Sequence, residues 1–132
     1  SELTVFKYED EGVATLEDGL YVLEENLKDA AFKDKMVRFV RASMKGWKYA
    51  EQNPAEAAEI VVDNDDSGAQ TVEHNTTQMG EIIKLTAGSN GALDPADYQR
   101  TVDSLMTGGS DPVITKMPNG AWTHEITDLA FK

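Results

Sequence analysis

The spacing of the apolar residues changes near residue 30, and this change restricts the folds open to the chain. Before it, "LTVFKY" (3–8) and "GLYVLEE" (19–25) are rich in β-branched and aromatic residues, which is typical of strands. After it, apolar residues recur at helical spacing in five segments. Because a two-stranded sheet is only marginally stable alone, this order of elements predicts part of a larger α/β protein.

Proline, glycine and capping residues set the ends of the five predicted helices. The first begins near Phe32 and ends at Asn53, which is expected to cap the second helix because Pro54 suits its first turn. The second ends in "DNDDSG", and the third covers about 70–86. The fourth follows Asp94 as its N-cap and stops at a Gly-Gly pair. The last lies in "AWTHEITDLAF", with Trp122, Ile126 and Leu129 expected to face inward.

Composition excludes several classes of function. With 132 residues the chain has the length of one domain, and its formal net charge is −12. Nucleic acid is not an expected partner, since duplex binding depends on neutralising phosphates with Lys and Arg. The chain has no cysteine, which excludes disulfides, thiolate catalysis and sulfur-based zinc sites. It also contains no apolar run of membrane-spanning length.

The first predicted helix carries half of the positive charge of the chain. Six of the twelve basic residues lie between residues 33 and 48, interleaved with aromatic residues. They form either a docking surface for an anionic partner or the solvated side of an ordinary helix. Helical spacing favours the solvated side, because it separates an apolar set from a basic set. The apolar set, expected to face a core, includes Phe39, Val40 and Trp47; the basic set is Arg38, Arg41, Lys45 and Lys48.

An acidic cluster joins the two predicted strands. Glu9, Asp10, Glu11, Glu17 and Asp18 lie in "YEDEGVATLED". Ligands of α/β proteins bind in crevices outside the strand ends, where a carboxylate can accept hydrogen bonds from an amino group of a ligand. The alternative interpretation of this cluster is an exposed acidic turn.

No motif in the sequence indicates catalysis or a metal site. "DNDDSG" places Asp63, Asp65, Ser67 and Gly68 at positions of a calcium-binding EF-hand loop, but His74 stands where a bidentate Glu is required. We therefore interpret this stretch as a polar loop that closes a helix. The two histidines of the chain lack the spacing of metal ligands. We expect no catalytic residue, no metal and no cofactor.

The segment 18–62 resembles the solute-binding proteins of ABC importers for nitrate, sulfonates, taurine and thiamine-pyrimidine precursors. Its most specific part, residues 36–58, contains the family's "F-V-R-A-x-x-K-G-W-x-Y-A" helix followed by "NP-x-x-A". "GALDPADYQRTVDSLMTGG" (91–109) looks like the family's closing segment, so the resemblance extends along essentially the whole chain.

This resemblance implies a partial type II periplasmic-binding-protein fold. Members of the family have two α/β lobes joined by hinge strands and are roughly twice as long or more. Residues 1–132 would then form a single incomplete domain. Residues 1–18 would be the hinge and the edge of the second lobe, and 19–132 the mainly helical C-terminal part of the first.

The resemblance also implies a function and a set of ligand-binding residues. The chain would bind a small organic solute in the periplasm by hinge closure and deliver it to the permease subunits of an ABC importer, without chemistry on the solute. Asp18 lies closest to the acidic residue that pyrimidine-binding members use, and Glu11 and Glu17 are weaker candidates. The solute itself stays unspecified.

Two alternatives to transport stay open at this stage. One is an enzyme of thiamine-pyrimidine synthesis from the same superfamily, although those enzymes depend on a cysteine-rich motif that this chain lacks. The other is a helical interaction or oligomerisation domain. In the second case, exposed apolar residues of "GLYVLEE" and of the strand edges would lead to a homo-oligomer.

Overall fold

The computed structural model describes residues 3–132, which form one short 3-10 helix and five α-helices. The 3-10 helix, Glu24–Lys28, leads directly into the longest element of the chain. The α-helices are α1 (Ala30–Gln52), α2 (Pro54–Asp63), α3 (Val72–Thr86), α4 (Pro95–Thr107) and α5 (Glu125–Ala130). The five predicted helices are thus confirmed, with α5 shorter than "AWTHEITDLAF".

The predicted α/β fold is wrong, because residues 3–132 contain no β-strand. This also overturns the partial type II periplasmic-binding-protein fold with hinge strands. Both predicted strands, 3–8 and 19–25, lack a ladder partner within the described residues. Strand propensity measures how well a side chain fits a pleated, half-buried surface, and such a surface is missing there.

The chain after the first apolar segment bends into a turn instead of pairing. The backbone N–H of Asp10 donates to the carbonyl of Lys7 at 3.0 Å, and the N–H of Val13 donates to that of Tyr8 at 3.0 Å. Gly12 has a φ of 73°, which favours glycine in this turn. The first strand-like segment therefore ends in a locally closed loop.

Two hydrogen bonds attach the segment after this turn to α4. The N–H of Leu16 donates to the hydroxyl of Thr101 at 2.8 Å, and Nε of Arg100 donates to the carbonyl of Ala14 at 3.0 Å. The N-terminal segment is thus held on a helix more than eighty residues later in the sequence.

Carboxylate side chains begin two of the helices, as expected for aspartate at an N-cap. Asp29 accepts from the N–H of Ala31 at 2.8 Å, and Asp94 accepts from the N–H of Ala96 at 2.7 Å. The prediction for Asn53 is wrong, because its side chain does not cap α2. Its Nδ2 donates backward to the carbonyl of Tyr49 at 3.0 Å, closing the C-terminal end of α1.

Four of the five α-helices pack in two pairs, and α4 belongs to neither pair. α2 packs on α3, and α1 packs on α5 with further contacts to the 3-10 helix, α2 and α3. The buried polar residue Asn75 is satisfied, since its Nδ2 donates to Gln70 and to the carbonyl of Thr71. The buried apolar residues of the described chain are all small or medium in size: Ala57, Ala58, Val102 and Ala130.

The accessible surface is large for a chain of this mass. A compact monomer of 14.5 kDa would expose about 6,900 Å², whereas this chain exposes 10419 Å². Several residues predicted to face a core are exposed, including Phe39 at 54 % and Trp122 at 38 %. Little of the described chain covers Phe39 on α1, whereas Trp122 lies before α5 rather than in a helix, with its ring beside Tyr98 and His124.

We expect Ala58→Leu to destabilise the protein by about 2 kcal/mol, because overpacking a filled core forces strained side chains and backbone shifts. Ala58 is fully buried in α2. Ala55→Leu, on the exposed side of the same helix, is the matched control and should change stability by less than about 0.5 kcal/mol. Urea unfolding followed by circular dichroism measures both; equal losses would contradict the packing of α2 described above.

Candidate ligand-binding site

The predicted ligand-binding residues lie along the N-terminal segment and are all exposed. Glu11 sits in the turn after Lys7, whose carbonyl accepts from its N–H at 3.3 Å. Glu17 and Asp18 directly follow Leu16, which is bound to Thr101 of α4. The structure therefore places these carboxylates at the surface near α4. Within residues 3–132, no hydrogen bond or ion pair joins the three side chains to each other.

An open cleft of about 680 Å³ separates the turn at Gly12 from α4. Arg100 contributes a guanidinium, and its Nη2 is paired with the carboxylate of Asp97. Gly12 and Val13 line the cleft, but Glu11, Glu17 and Asp18 do not. The full lining is Gly12, Val13, Ala96, Gln99, Arg100, Asp103, Ser104, Thr107 and Gly108.

The α4 residues of this cleft were missed by sequence reasoning. Asp94 and Pro95 predict where the helix begins, and its apolar spacing predicts the inward side of Val102. Nothing local to α4 indicates that Thr101 and Arg100 bind residues 14–16, since that pairing depends on the path of a distant segment. The sequence of α4 indicates only that one face of this helix is polar.

A second cleft, the basic cleft, lies beside the C-terminal half of α1. It has a volume of about 560 Å³ and is bounded by the end of α3, the following loop and the residue after α5. Its lining consists of Arg41, Met44, Lys45, Trp47, Lys48, Glu51, Thr86, Gly88, Ser89, Asn90 and Phe131. It thus joins basic side chains of the predicted stripe to an aromatic residue of the predicted core face.

The four basic residues of the stripe have different surroundings. All are exposed, as their spacing predicts. Nε of Arg38 forms an ion pair of 2.9 Å with Asp34, one turn earlier on α1. Nε of Arg41 donates to the carbonyl of Ala130 at 3.0 Å and holds α5 against α1. Within residues 3–132, Lys45 and Lys48 form no ion pair, and both line the basic cleft.

A glycine-containing loop forms the wall of the basic cleft opposite α1. The N–H of Ser89 donates to the carbonyl of Thr86 at 3.0 Å, and the N–H of Gly91 donates to the hydroxyl of Ser89 at 3.0 Å. A Cβ on Gly91 would lie 2.8 Å from the sulfur of Met44, and its φ of 78° also favours glycine. The loop approaches α1 closely because residue 91 has no side chain.

The loop considered for calcium is organised by its own side chains. Asp65 accepts from the hydroxyl of Ser67 at 2.5 Å and from the N–H of Gln70 at 2.7 Å. These hydrogen bonds, that from Ser67 first, lower the pKa of Asp65 because they stabilise the charged carboxylate. Across residues 3–132, no group of three or more His, Asp or Glu side chains is arranged to hold a metal ion.

Comparison with known protein families relates the N-terminal part of the chain to a family model. Residues 1–57 match the model of the family described as NMT1/THI5 like. The matched part includes the acidic segment and nearly all of the 36–58 motif, and it supports a relation to solute-binding proteins of the nitrate, sulfonate, taurine and thiamine-precursor type. Residues 58–132, including the segment 91–109, lie outside the match.

Two further comparisons give no relative. No curated protein and no solved structure matches the chain. In the part of the chain that the structure describes, none of the helices combines the length and the apolar character needed to cross a bilayer.

We expect Asp65→Asn to lower stability at neutral pH and to leave it unchanged at low pH. A carboxylate with a lowered folded-state pKa contributes stability above its unfolded-state pKa, and this contribution is lost as the pH falls through the folded-state value. Thermal unfolding between pH 7 and pH 2 measures the difference from the parent protein. Asp66→Asn, at the exposed neighbour, is the control; an equal pH-dependent loss there would contradict the role of Asp65.

Proposed function

We propose that this chain is part of the solute-binding component of an ABC importer. It would bind a small organic solute of the sulfonate, taurine, nitrate or pyrimidine-precursor class in the periplasm, close around it, and deliver it unchanged to the permease subunits. The observation that carries this proposal is the family match over residues 1–57, which includes nearly all of the helix motif at 36–58. In this proposal residues 1–132 are a single incomplete domain of that component; residues 1 and 2 lie outside the described residues.

The carboxylates of the acidic segment reduce the number of solute classes that suit this proposal. Asp18 offers an exposed carboxylate two residues after the hydrogen bond that attaches Leu16 to α4. Carboxylates accept charge-assisted hydrogen bonds from amino and ammonium groups and repel anions. Asp18 therefore suits an aminopyrimidine or the ammonium group of taurine, and it does not suit nitrate. Glu11 and Glu17 supply further carboxylates on the same exposed segment.

In the full solute-binding protein of this proposal, we expect an aminopyrimidine or taurine to raise the unfolding temperature, and Asp18→Asn to weaken binding of that solute by tenfold or more; residues 1–132 alone should show little thermal shift. A hydrogen bond to a charged group contributes about 1.5–3 kcal/mol, and every ~1.4 kcal/mol is tenfold in affinity. Calorimetric titration of each solute in turn, with nitrate and an alkanesulfonate included, measures the affinity. Thermal unfolding with and without each solute measures the unfolding temperature.

Asp10→Asn is the matched control, because it removes one carboxylate from the same exposed turn. It should leave the affinity within about twofold. If no solute of the four classes binds, the proposal of a transport function for this chain is wrong. If a solute binds equally well to both variants, Asp18 is not the recognition residue.

A second candidate function, an interaction or oligomerisation domain, is supported by the exposed apolar residues of the N-terminal segment. Tyr21 is 82 % exposed, and the total accessible surface is about half as large again as a compact monomer of this mass would have. Large contiguous apolar patches on soluble proteins mark interaction sites. The exposed apolar set of this segment is Leu3, Val5, Phe6, Tyr8, Val13, Leu16, Leu20, Tyr21, Val22 and Leu23.

We expect the chain to form a homo-oligomer, and Phe6→Ser with Tyr21→Ser to weaken self-association by at least tenfold. Removing two large aromatic side chains from an interface removes several kcal/mol of apolar burial. Leu85→Ser with Val113→Ser is the control, since both side chains are as exposed but lie outside the N-terminal segment. Sedimentation equilibrium measures the association; a monomeric parent protein, or equal weakening by the two double variants, would contradict this function.

A further inference from the structure

The basic cleft beside α1 combines positive charge with exposed aromatic surface. It shares no lining residue with the N-terminal segment or with the cleft on α4. We propose that it binds a small aromatic anion, a single planar ring that carries one carboxylate, sulfonate or phosphate group. This site is separate from the one proposed around Asp18, and the two proposals can fail independently.

The charges that face the basic cleft favour an anion. Three basic side chains and one acidic side chain, Glu51, line it, which gives a local formal charge of +2 in a protein of −12. Part of the charge on Arg41 is balanced by the carbonyls of Leu129 and Ala130, to which it donates. Lys45 and Lys48 have no carboxylate partner in the described chain, so their ammonium groups are available to a ligand.

Exposed ring surface lines the same cleft as these two lysines. Trp47 is 42 % exposed and Phe131 is 44 % exposed, and both line the cleft. Aromatic rings pair with other rings in offset or tilted arrangements, which contribute about 0.5–1.5 kcal/mol beyond area burial. The flexible thioether of Met44 can adapt to a ring edge. A ring with an attached anion therefore fits the lining better than an aliphatic anion does.

The size of the cleft and the net charge of the protein favour a small ligand. Its volume of about 560 Å³ lies in the range of small-molecule pockets, about 300–1,000 Å³. Charges are screened beyond about 8 Å at physiological ionic strength, so a small anion inside the cleft interacts mainly with the lining. A large polyanion would lie against many of the twenty-four carboxylates of the chain and be repelled.

Two tryptophans allow the site to be tested without altering the residues that line the cleft. Trp47 lines the basic cleft. Trp122 lies elsewhere: its ring centroid is 4.8 Å from that of His124 and 6.1 Å from that of Tyr98. The indole N–H signals of a ¹⁵N-labelled sample report on both, with Trp122→Phe used to assign them. Benzoate should shift the Trp47 signal saturably and leave the Trp122 signal unchanged.

Two control ligands distinguish the contribution of the aromatic ring to binding from that of the negative charge. Benzamide keeps the ring and loses the charge, and acetate keeps the charge and loses the ring; each should bind at least tenfold more weakly than benzoate. Raising the salt concentration from 50 to 500 mM should weaken benzoate severalfold, since part of the attraction is electrostatic. Equal binding of benzamide or acetate, or no salt effect, would overturn the proposal.

A comparison of two double variants distinguishes the effect of the lysines in the cleft from the effect of the net charge of the protein. Lys45→Gln with Lys48→Gln should weaken benzoate binding by tenfold or more. Lys35→Gln with Lys116→Gln changes the net charge equally, with Lys35 on the same helix but outside the lining, and should change the affinity less than twofold. Equal effects of the two double variants would overturn the proposal, as would a short polyglutamate peptide that binds the cleft more tightly than benzoate. Asp18→Asn should leave benzoate binding unchanged.

Discussion

Helix α1 is the element on which the arrangement of the 3-10 helix, α2, α3 and α5 depends. It contacts the 3-10 helix, α2, α3 and α5, and Arg41 joins it to the carbonyl groups that end α5. A hydrogen bond from an arginine to terminal helix carbonyls satisfies groups that the helix itself leaves unpaired. α5 has only six residues and would not persist alone, so its position follows from this contact and from the apolar side of α1.

The small core and the large accessible surface have a common physical cause. Each helix has an apolar face, but the described residues place few large side chains between facing helices, and the fully buried residue is an alanine. Hydrophobic stabilisation scales with the apolar area removed from water, so exposed aromatic and aliphatic side chains contribute little to it. The same side chains are available to a ligand or to another protein surface. The modest core is therefore linked to the proposed homo-oligomer and to the proposed binding of an aromatic anion.

Prediction from the sequence was accurate where local chemistry decides the outcome. Asp94 caps α4, Pro54 begins α2, and the chain leaves α1 at Asn53, because capping and proline geometry involve only neighbouring residues. It failed for the strands, since a strand exists only with a partner. It was incomplete for the candidate sites: the exposure of Asp18 was within reach of sequence reasoning, but the roles of Thr101 and Arg100 in holding residues 14–16 were not.

The sequence by itself determined the helices, the Asp94 cap of α4, the separation of basic from apolar residues along α1, and the surplus of negative charge. These follow from residue type and spacing within a few turns of chain. Only the tertiary structure decided which residues from distant segments meet. It brought the loop at Gly88–Asn90 and Phe131 beside Lys45, Trp47 and Lys48, and so turned part of a solvated stripe into the wall of a cleft. Contacts across long sequence separations depend on the packing of whole helices, and no local pattern encodes them.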